Sequence, residues 1–385
     1  MPESKDSSPL AMAPQRPQKR ARVVVFGGGY GMFPPIFERI NKQFEVVARP
    51  VAVIPRWVET WHLLTSVRWP KSSWYREWRR RLEKTPGAFR MRTLAAERAL
   101  GAVHSPYDAI MFFGAMQAPA RRLDKPLYLF ADSCRWLSSQ NPYDTASHFT
   151  SSADRAAWLR MEGDLYQHAR RIFVGSEFVR RAMIEGYGLD PAKVVSSGFG
   201  GGDDFGEPYD KVFDGRTILY IGKGDFERKG GRVLLEAFRL LRRELPDATL
   251  HIVGQDSLAS GDGVVSHGFI SDRGRLIDLM RQAHVFTLPS LVDRNPMSVL
   301  DAMAAATPCV TSDYGAIPEL VGDAGLIAPC NDVGATANCL KELLRAPDKA
   351  RAMGRAGYRR HRETYNWDSV WSRIVTHIDL PTGLA

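Results

Sequence analysis

The sequence predicts an α/β protein built from two doubly wound parallel-sheet domains that face each other across a cleft. Short, continuously apolar runs alternate with longer segments of helical periodicity, as in sheets that are covered by helices on both faces. The alternation lapses once, around residues 198–214, where Gly, Asp and Pro predominate, and then resumes. A chain of 385 residues with 44% hydrophobic residues is long enough to bury two cores.

The first half of the chain supplies the elements of one domain. Helical stretches such as 154–169 and 176–187 separate the apolar runs, and Ser176 is a suitable N-cap because its hydroxyl can accept from a first-turn amide. The apolar runs expected to form parallel strands are 23–26, 46–54, 109–113, 126–131, 172–175 and 193–197.

The second half repeats the pattern. Helices are expected at 230–243, 276–282 and 296–305, and strands at 217–221, 249–253, 285–288, 309–311 and 325–328. The two halves therefore predict two Rossmann-like domains that are joined by a hinge. Ligands of such sheets bind outside the carboxyl ends of the strands, so the cleft between the domains is the expected site.

These patterns divide the chain into five parts. Residues 1–20 read as a disordered basic tail, 21–203 as the N-terminal domain and 204–214 as the linker. Residues 215–362 form the C-terminal domain, and 363–380 form a helix that crosses back to the N-terminal domain.

Charge and composition restrict the class of protein. Lys and Arg number 52 against 43 Asp and Glu, a formal net charge of +9, which favours an anionic partner such as a nucleotide, a nucleic acid or a membrane surface. The four cysteines form no CxxC pair, which argues against a zinc or disulfide scaffold. No run approaches the roughly 20 apolar residues of a membrane span, and the N-terminus lacks a signal-peptide core, so a cytoplasmic protein is expected.

Two glycine-bearing loops are candidates for phosphate binding. Residues 27–31 do not fit the dinucleotide fingerprint, so Gly28 and Gly29 either approach a phosphate or only form a turn that needs positive φ. The loop 222–230 follows a strand and opens a helix, and it carries Lys223 and Lys229 around glycines. Helix amides and two ammonium groups suit a diphosphate, although two solvated surface lysines remain an alternative.

A third segment, 289–304, leads from a strand into a helix that is expected to start near Pro296. The amides of Met297 and Ser298 would face the cleft, and Asp301 lies one turn further along, where a carboxylate could accept from sugar hydroxyls. The alternative is that Asp293 and Asp301 only cap this helix and lie on its surface.

Taken in order, these segments resemble the retaining glycosyltransferases of family 4, also termed glycosyl transferases group 1, which have the GT-B fold. The likeness covers roughly residues 165–375 and is specific as a set. It rests on Gly222-Lys223 with Lys229-Gly230, Pro289-Ser290 with Asp293, Asp301-Ala302-Met303-Ala304, Gly315 with Pro318-Glu319-Leu320, and Gly325-Leu326-Ile327-Ala328-Pro329.

The resemblance implies transfer of a sugar from a UDP- or GDP-sugar, with retention, to a glycan or lipid-linked acceptor in envelope or exopolysaccharide synthesis. Lys223 and Lys229 would stabilise the leaving diphosphate, so no bound metal or other cofactor is required. Asp293 would contact the transferred sugar, Asp301 would hold the ribose hydroxyls, and the backbone from Gly268 to Ile270 would line the base. Asp132, at a strand end on the acceptor side, would lie near the reacting centre or only cap a loop.

The chain departs from the family pattern at three places. Asp293 and Asp301 stand where the family has glutamates, which shortens each carboxylate's reach by about 1.5 Å. Arg294 and Asn295 replace a glycine and an aromatic residue, and Arg294 is expected to be a solvated side chain rather than a phosphate contact. A sugar-nucleotide-binding protein with weak or no turnover is therefore an alternative. An NAD-dependent oxidoreductase is a second alternative, which the failed glycine fingerprint disfavours.

Residues 56–92 are unusually rich in Trp and Arg. Both types suit a lipid headgroup layer, so this segment is expected to dock on an anionic membrane surface at the inner face. The alternative is a basic helical hairpin whose tryptophans pack inward. Nucleic-acid binding is not expected, since no recognisable binding module accompanies the basic residues.

Overall fold

The structure, a computed structural model, contains two parallel sheets. It describes residues 20–27, 34–50, 56–67, 74–75, 77–78, 81, 85–115, 123–141, 143–144, 149, 151–202, 205–206, 211–222, 225–255 and 260–381. The expected tail, 1–20, lies almost wholly outside these residues. The strands are β1 (Arg22–Phe26), β2 (Glu45–Ala48), β3 (Ala109–Phe113), β4 (Leu127–Ala131), β5 (Arg171–Val174), β6 (Val194–Ser196), β7 (Thr217–Ile221), β8 (Thr249–Val253), β9 (Val264–Ser266), β10 (Val285–Leu288), β11 (Cys309–Ser312) and β12 (Gly325–Ala328).

Helices cover both faces of each sheet. In chain order they are α1 (Pro34–Gln43), α2 (Arg56–Thr65), α3 (Pro86–Gly101), α4 (Arg135–Ser138), α5 (Ser152–His168), α6 (Glu177–Tyr187), α7 (Gly231–Arg242), α8 (Arg273–Gln282), α9 (Met297–Ala304), α10 (Ile317–Val321), α11 (Val333–Arg345), α12 (Pro347–Arg360) and α13 (Trp367–Val375). As expected, Ser176 is the N-cap of α6, and its hydroxyl accepts from the amide of Val179 at 3.2 Å.

Each sheet has six parallel strands. The first has the order β2-β1-β3-β4-β5-β6 and the second β12-β11-β10-β7-β8-β9. The first sheet is buried on both faces: Val24, Ile110 and Leu129 point to one core, and Val23, Met111 and Phe130 to another. The two-domain, doubly wound architecture predicted from the alternating runs is therefore correct.

The final helix belongs to the core of the first sheet. Trp367 and Trp371 of α13 are buried there, and Trp371 meets the ring of Phe44 edge-on. The backbone passes from one domain to the other at two places. The two crossings are adjacent, since residues 197–202 lie against the segment 361–366, where the amide of Gly201 donates to the carbonyl of Tyr365 at 3.1 Å. A double crossing beneath the cleft joins the domains.

Candidate functional site

The strand order of the second sheet reverses between β7 and β10, since β8 and β9 lie on one side of this pair and β11 and β12 on the other. A crevice forms at such a point because the following loops diverge to opposite faces, and ligands of doubly wound sheets bind there. The two loops that leave these strands are the lysine-bearing loop before α7 and the segment before α9. The topology therefore brings together the two segments that the sequence singled out.

The two loops are tied to each other by backbone contacts. The amide of Leu291 donates to the carbonyl of Arg228 at 2.9 Å, and the guanidinium of Arg228 donates to the carbonyl of Val292 at 2.7 Å. Gly230 has a φ of +72°, and a Cβ there would overlap the carbonyl oxygen of Pro289. Only glycine allows this approach, so its place in the motif has a steric cause.

The ammonium of Lys229 forms an ion pair with the carboxylate of Asp293. Both side chains are largely buried, with 16% and 8% of their surfaces exposed. The structure thus places two of the predicted catalytic residues in direct contact at the switch point. Lys223, another of the four, lies outside the described residues.

Asp301 is also paired, and its partner was missed in the sequence. Arg273, in the first turn of α8, donates to both carboxylate oxygens of Asp301, at 2.7 and 2.8 Å, and its guanidinium lies 5.2 Å from the centre of the Phe205 ring. Twenty-eight residues separate the pair in sequence. No motif connects them, so only the packing of α8 against α9 could reveal the contact.

The helix α9 begins one residue later than expected. Pro296 is its N-cap residue rather than its first helical residue, and it offers no side-chain acceptor. Met297 and Ser298 are therefore the first helical residues, whose amides have no partner within the helix. The loop predicted to line the base is sharply turned, with a φ of +62° at Gly268, and the side chain of Ile270 is buried in the domain core.

On the acceptor side, Asp132 directly follows β4. Its side chain is exposed, but the protein around it removes part of the hydration of the carboxylate, and this desolvation raises the pKa of Asp132. The nearby Arg294 guanidinium lowers that pKa and so opposes the shift. The side chain of Asn295 donates to the backbone carbonyl of Asp132 at 3.2 Å. Asp132 is thus brought to the segment that carries Asp293, although the two residues belong to different domains.

A buried carboxylate supports the loop that carries Asp132. Glu162 of α5 accepts from the amide of Arg135 at 3.0 Å, from the hydroxyl of Tyr166 at 3.0 Å and from that of Tyr187. Burial raises the pKa of Glu162 to about 7. These contacts hold the start of α4 in place, and with it the acceptor-side wall of the cleft.

The expectation that Arg294 is solvated is wrong. Its guanidinium forms an ion pair with the buried carboxylate of Asp144 and donates to the hydroxyl of Ser138 at 2.6 Å. Both partners belong to the first domain, and burial lowers the pKa of Arg294. Arg294 therefore links the segment before α9, in the second domain, to the first domain, a contact that its sequence position does not indicate.

A second link between the domains comes from the Gly-x-Pro-Glu-Leu segment. The carboxylate of Glu319 accepts from the amide of Glu177 at 3.0 and 3.1 Å, at the first turn of α6. A carboxylate there interacts favourably with the positive end of the helix. The sequence pattern marks Glu319 as part of a motif, but its partner lies 142 residues away.

Some predicted site residues lie outside the described residues or in a segment that is described only in part. Gly28 and Gly29 lie outside the described residues, and the adjacent Gly27 has a φ of +101°, in a turn where a Cβ would lie 2.6 Å from the carbonyl oxygen of Phe113.

In residues 56–92, Trp61, Leu64 and Val67 are 62%, 64% and 65% exposed. The indole of Trp74, in contrast, donates to the carbonyl of Leu63 at 2.9 Å. The segment thus combines exposed apolar side chains with an inward-bonded tryptophan.

Two kinds of feature are absent from the described residues. Within the described residues, no three or more His, Cys, Asp or Glu side chains are grouped so that they could hold a metal ion. None of the helices in the described part of the chain is both long and apolar enough to cross a membrane.

Two doubly wound domains that face each other across such a cleft define the GT-B fold, which solved structures share. The chain is similar to the sucrose-phosphate synthase from Thermosynechococcus elongatus, with a TM-score of 0.59, 20% identity and coverage of 76% of this chain and 78% of that one. It is also similar to a UDP-forming α,α-trehalose-phosphate synthase from Burkholderia xenovorans, with a TM-score of 0.65, 12% identity and coverage of 94% and 99%. At these identities the likeness shows the fold.

Residues 215–346 match the family model of the glycosyl transferases group 1. This confirms the resemblance seen in the motifs. A phosphatidyl-myo-inositol mannosyltransferase from Mycolicibacterium smegmatis is 35% identical over 183 residues, 44% of this chain and 46% of that protein. An MMP alpha-(1->4)-mannosyltransferase from Mycolicibacterium hassiacum is 34% identical over 173 residues, 41% of each. The matches span less than half the length of these relatives.

Proposed function

We propose that this protein is a retaining glycosyltransferase that moves a sugar from a UDP- or GDP-sugar to a glycan or lipid-linked acceptor. The observation that carries the proposal is the Lys229–Asp293 ion pair at the switch point of a glycosyl transferases group 1 domain. A largely buried lysine beside open helix amides suits an anionic diphosphate. The carboxylate opposite it suits the hydroxyls of a sugar.

In the proposed reaction, the bond between the anomeric carbon and the diphosphate oxygen breaks, and the diphosphate leaves with the electron pair. Lys229, together with Lys223, stabilises the charge that develops there, so the step requires no metal. An acceptor hydroxyl attacks the anomeric carbon from the same face, and its proton passes to the departing diphosphate. No protein nucleophile takes part.

Two contacts must rearrange when the donor binds. Lys229 has to turn from Asp293 towards the diphosphate, and Asp301 has to share its oxygens between Arg273 and the ribose hydroxyls. In the first exchange Lys229 replaces one anion by another, and Asp293 is left to accept from the hydroxyls of the sugar. In the second, Arg273 stays on the Asp301 carboxylate while the neutral ribose hydroxyls donate to it.

One observation favours the alternative, a nucleotide-binding protein without turnover. Asp301 is shorter than the family glutamate and is held by two hydrogen bonds from Arg273. If that pair does not open, the ribose loses its contact. Measured transfer or hydrolysis of any nucleotide sugar decides against this alternative.

The acceptor would be presented at an anionic membrane surface through residues 56–92. The support is the exposure of Trp61, Leu64 and Val67 along and just beyond α2, in a segment rich in arginine. Tryptophan inserts at the headgroup layer and arginine meets anionic lipid, so the two act together. Flotation with phosphatidylglycerol vesicles at low salt tests this. We expect binding that is lost in Trp61→Ser/Leu64→Ser, and no binding by the unaltered chain would refute it.

The first experiment on the donor is thermal stabilisation by UDP, GDP, ADP and NADH. A nucleotide at 100 times its dissociation constant should add about 2.7 kcal/mol to the free energy of unfolding. We expect stabilisation by UDP or GDP, which would also select the donor for a transfer assay. Stabilisation by NADH alone, or by none of the four, would refute the proposed donor site.

A further inference from the structure

A cavity of about 520 Å³ lies beside the cleft, outside the site described above. Its walls come from α4 and the residues after it, from α6, and from Tyr314 of the second domain. This volume is in the range of sites that hold a small molecule or a sugar unit. In the sequence, Asp132 of the proposed site precedes Trp136 of the cavity wall by four residues.

Three aromatic side chains, Trp136, Phe178 and Tyr314, line the cavity. The position of Trp136 depends on Gly186 of α6, since a Cβ there would lie 2.5 Å from two carbons of the indole ring. A glycine inside a helix costs up to about 1 kcal/mol relative to alanine. The close approach of the indole to the helix backbone gives this glycine a steric reason.

The other two rings are placed across the domain boundary. The Phe178 ring meets the Tyr314 ring edge-on, with centroids 6.1 Å apart. Gly315, next to Tyr314, has a φ of +62°, and a Cβ there would lie 3.0 Å from the Phe178 ring. The aromatic wall is therefore set by backbone geometry at two glycines, and it forms only when the two domains are together.

The two charged side chains of the cavity wall are exposed to solvent. Arg181 and Glu185 lie one turn apart on α6, at the spacing that favours an ion pair. In the described part of the chain neither forms an ion pair or a hydrogen bond, whereas Arg180 and Glu177 on the same helix pair at 2.8 Å. The side-chain amide of Gln140 donates to the carbonyl of Trp136 at 3.4 Å, and that of Asn141 accepts from the amide of Tyr143 at 2.9 Å. Within the described residues, Arg181 and Glu185 therefore offer the cavity side-chain groups without a partner.

We propose that this cavity binds a saccharide unit of the acceptor, next to the unit that receives the transferred sugar. A sugar ring presents apolar C–H faces, which suit aromatic walls, and hydroxyls that both donate and accept. Arg181 donates and Glu185 accepts, and their charges cancel, which suits a neutral ligand rather than a phosphate or a carboxylate. The inference rests on the proposed function, and it narrows the acceptor to a molecule that contains more than one sugar unit.

The test uses the full chain and an array of neutral oligosaccharides, with titration of the best-bound member by calorimetry. We expect binding that weakens about tenfold in Arg181→Ala and in Glu185→Ala, as expected for the loss of one hydrogen bond to a charged group. Arg160→Ala is the matched control, because this arginine is exposed on α5 of the same domain and has no ion-pair or hydrogen-bond partner in the described part of the chain. It should bind normally.

The outcomes separate this inference from the proposed function. If UDP or GDP stabilises the protein but no saccharide binds, the cavity assignment is overturned and the donor site stands. If saccharides bind equally well to Arg181→Ala, Glu185→Ala and Arg160→Ala, they bind elsewhere and the assignment also fails. Binding of free nucleosides or of octanol in place of saccharides would assign the cavity to a base or an acyl chain. Loss of nucleotide stabilisation alone bears on the donor site.

Discussion

Replacing Asp293 by asparagine should strengthen the binding of a free nucleoside diphosphate, although it removes a residue of the proposed site. In the unliganded protein the Asp293 carboxylate competes with the diphosphate for Lys229. The asparagine amide keeps the shape and a hydrogen-bond acceptor but removes the competing charge. Lys229 is then a largely buried cation without its anion, and the diphosphate supplies that anion.

The magnitude follows from the burial of the pair. Leaving one partner of a buried ion pair uncompensated costs about 3–5 kcal/mol. Lys229 keeps 16% of its surface exposed, and the amide returns one hydrogen bond, so a bound diphosphate should recover about 1–2 kcal/mol of this cost. That corresponds to about 5- to 30-fold tighter binding of UDP or GDP. Transfer of the sugar should fall at the same time, because the proposed sugar contact is lost.

Calorimetric titration with UDP and GDP, neither of which carries a sugar, measures the change directly. Asp323→Asn is the matched control, since it removes an exposed carboxylate from the same domain and changes the net charge equally. Its affinity should stay within about twofold of the unaltered protein. Unchanged or weaker diphosphate binding by Asp293→Asn, with normal folding, would refute the idea that Asp293 and the diphosphate share Lys229.

Three further predictions concern stability. Arg294→Met should lower the free energy of unfolding by about 3 kcal/mol, because it removes the cation that faces the buried Asp144 carboxylate; adding Asp144→Asn should restore most of the loss in urea melts. Gly230→Ala should cost more than 2 kcal/mol, against about 1 for Gly188→Ala, where φ is +58° but nothing lies near the Cβ; thermal melts compare the two. Burial lowers the pKa of Lys211 to about 7 in the folded protein. Between pH 7 and 8.5 the unfolded chain therefore binds more protons than the folded one, and the free energy of unfolding should rise by about 2 kcal/mol. The Lys211→Met variant should lack this rise.

Each of these has an outcome that contradicts it. Equal melting curves for Arg294→Met and the double variant would mean that the buried carboxylate carries no cost. Equal losses at the two glycines would remove the steric role of the Pro289 carbonyl. If the Lys211→Met curve keeps the full slope between pH 7 and 8.5, another group is responsible for it.

The sequence predicts most of the strands and part of the loops, although β9 (Val264–Ser266) is not among the expected strands and β2 ends at Ala48, short of the expected 54. Strands such as 217–221 and 285–288 are found where expected, because a fully buried strand must be apolar along its length. The sequence could place Lys229 and Asp293 at the same edge of the sheet, because both lie in loops that follow the carboxyl ends of parallel strands. Their identity as an ion pair required the structure.

What could not be predicted are the contacts between residues that no local pattern connects. The roles of Arg294 and Glu319 depend on how closely the two domains approach, since each has its partner in the other domain. Arg273 reaches Asp301 only because α8 and α9 lie side by side. Such pairs are set by tertiary packing, which adds partners that charge and periodicity along the chain do not encode.

The return of α13 to the first sheet has a consequence for synthesis on the ribosome. Val370 and Ile374 complete a core whose strands begin at Arg22, so that core stays open until these last residues emerge. The second sheet, whose strands are contained within 217–328, has all its strands available earlier. We therefore expect the later-encoded domain to reach its native state first. The earlier one is held partly folded, with its apolar sheet face exposed to chaperones, until α13 has been synthesised.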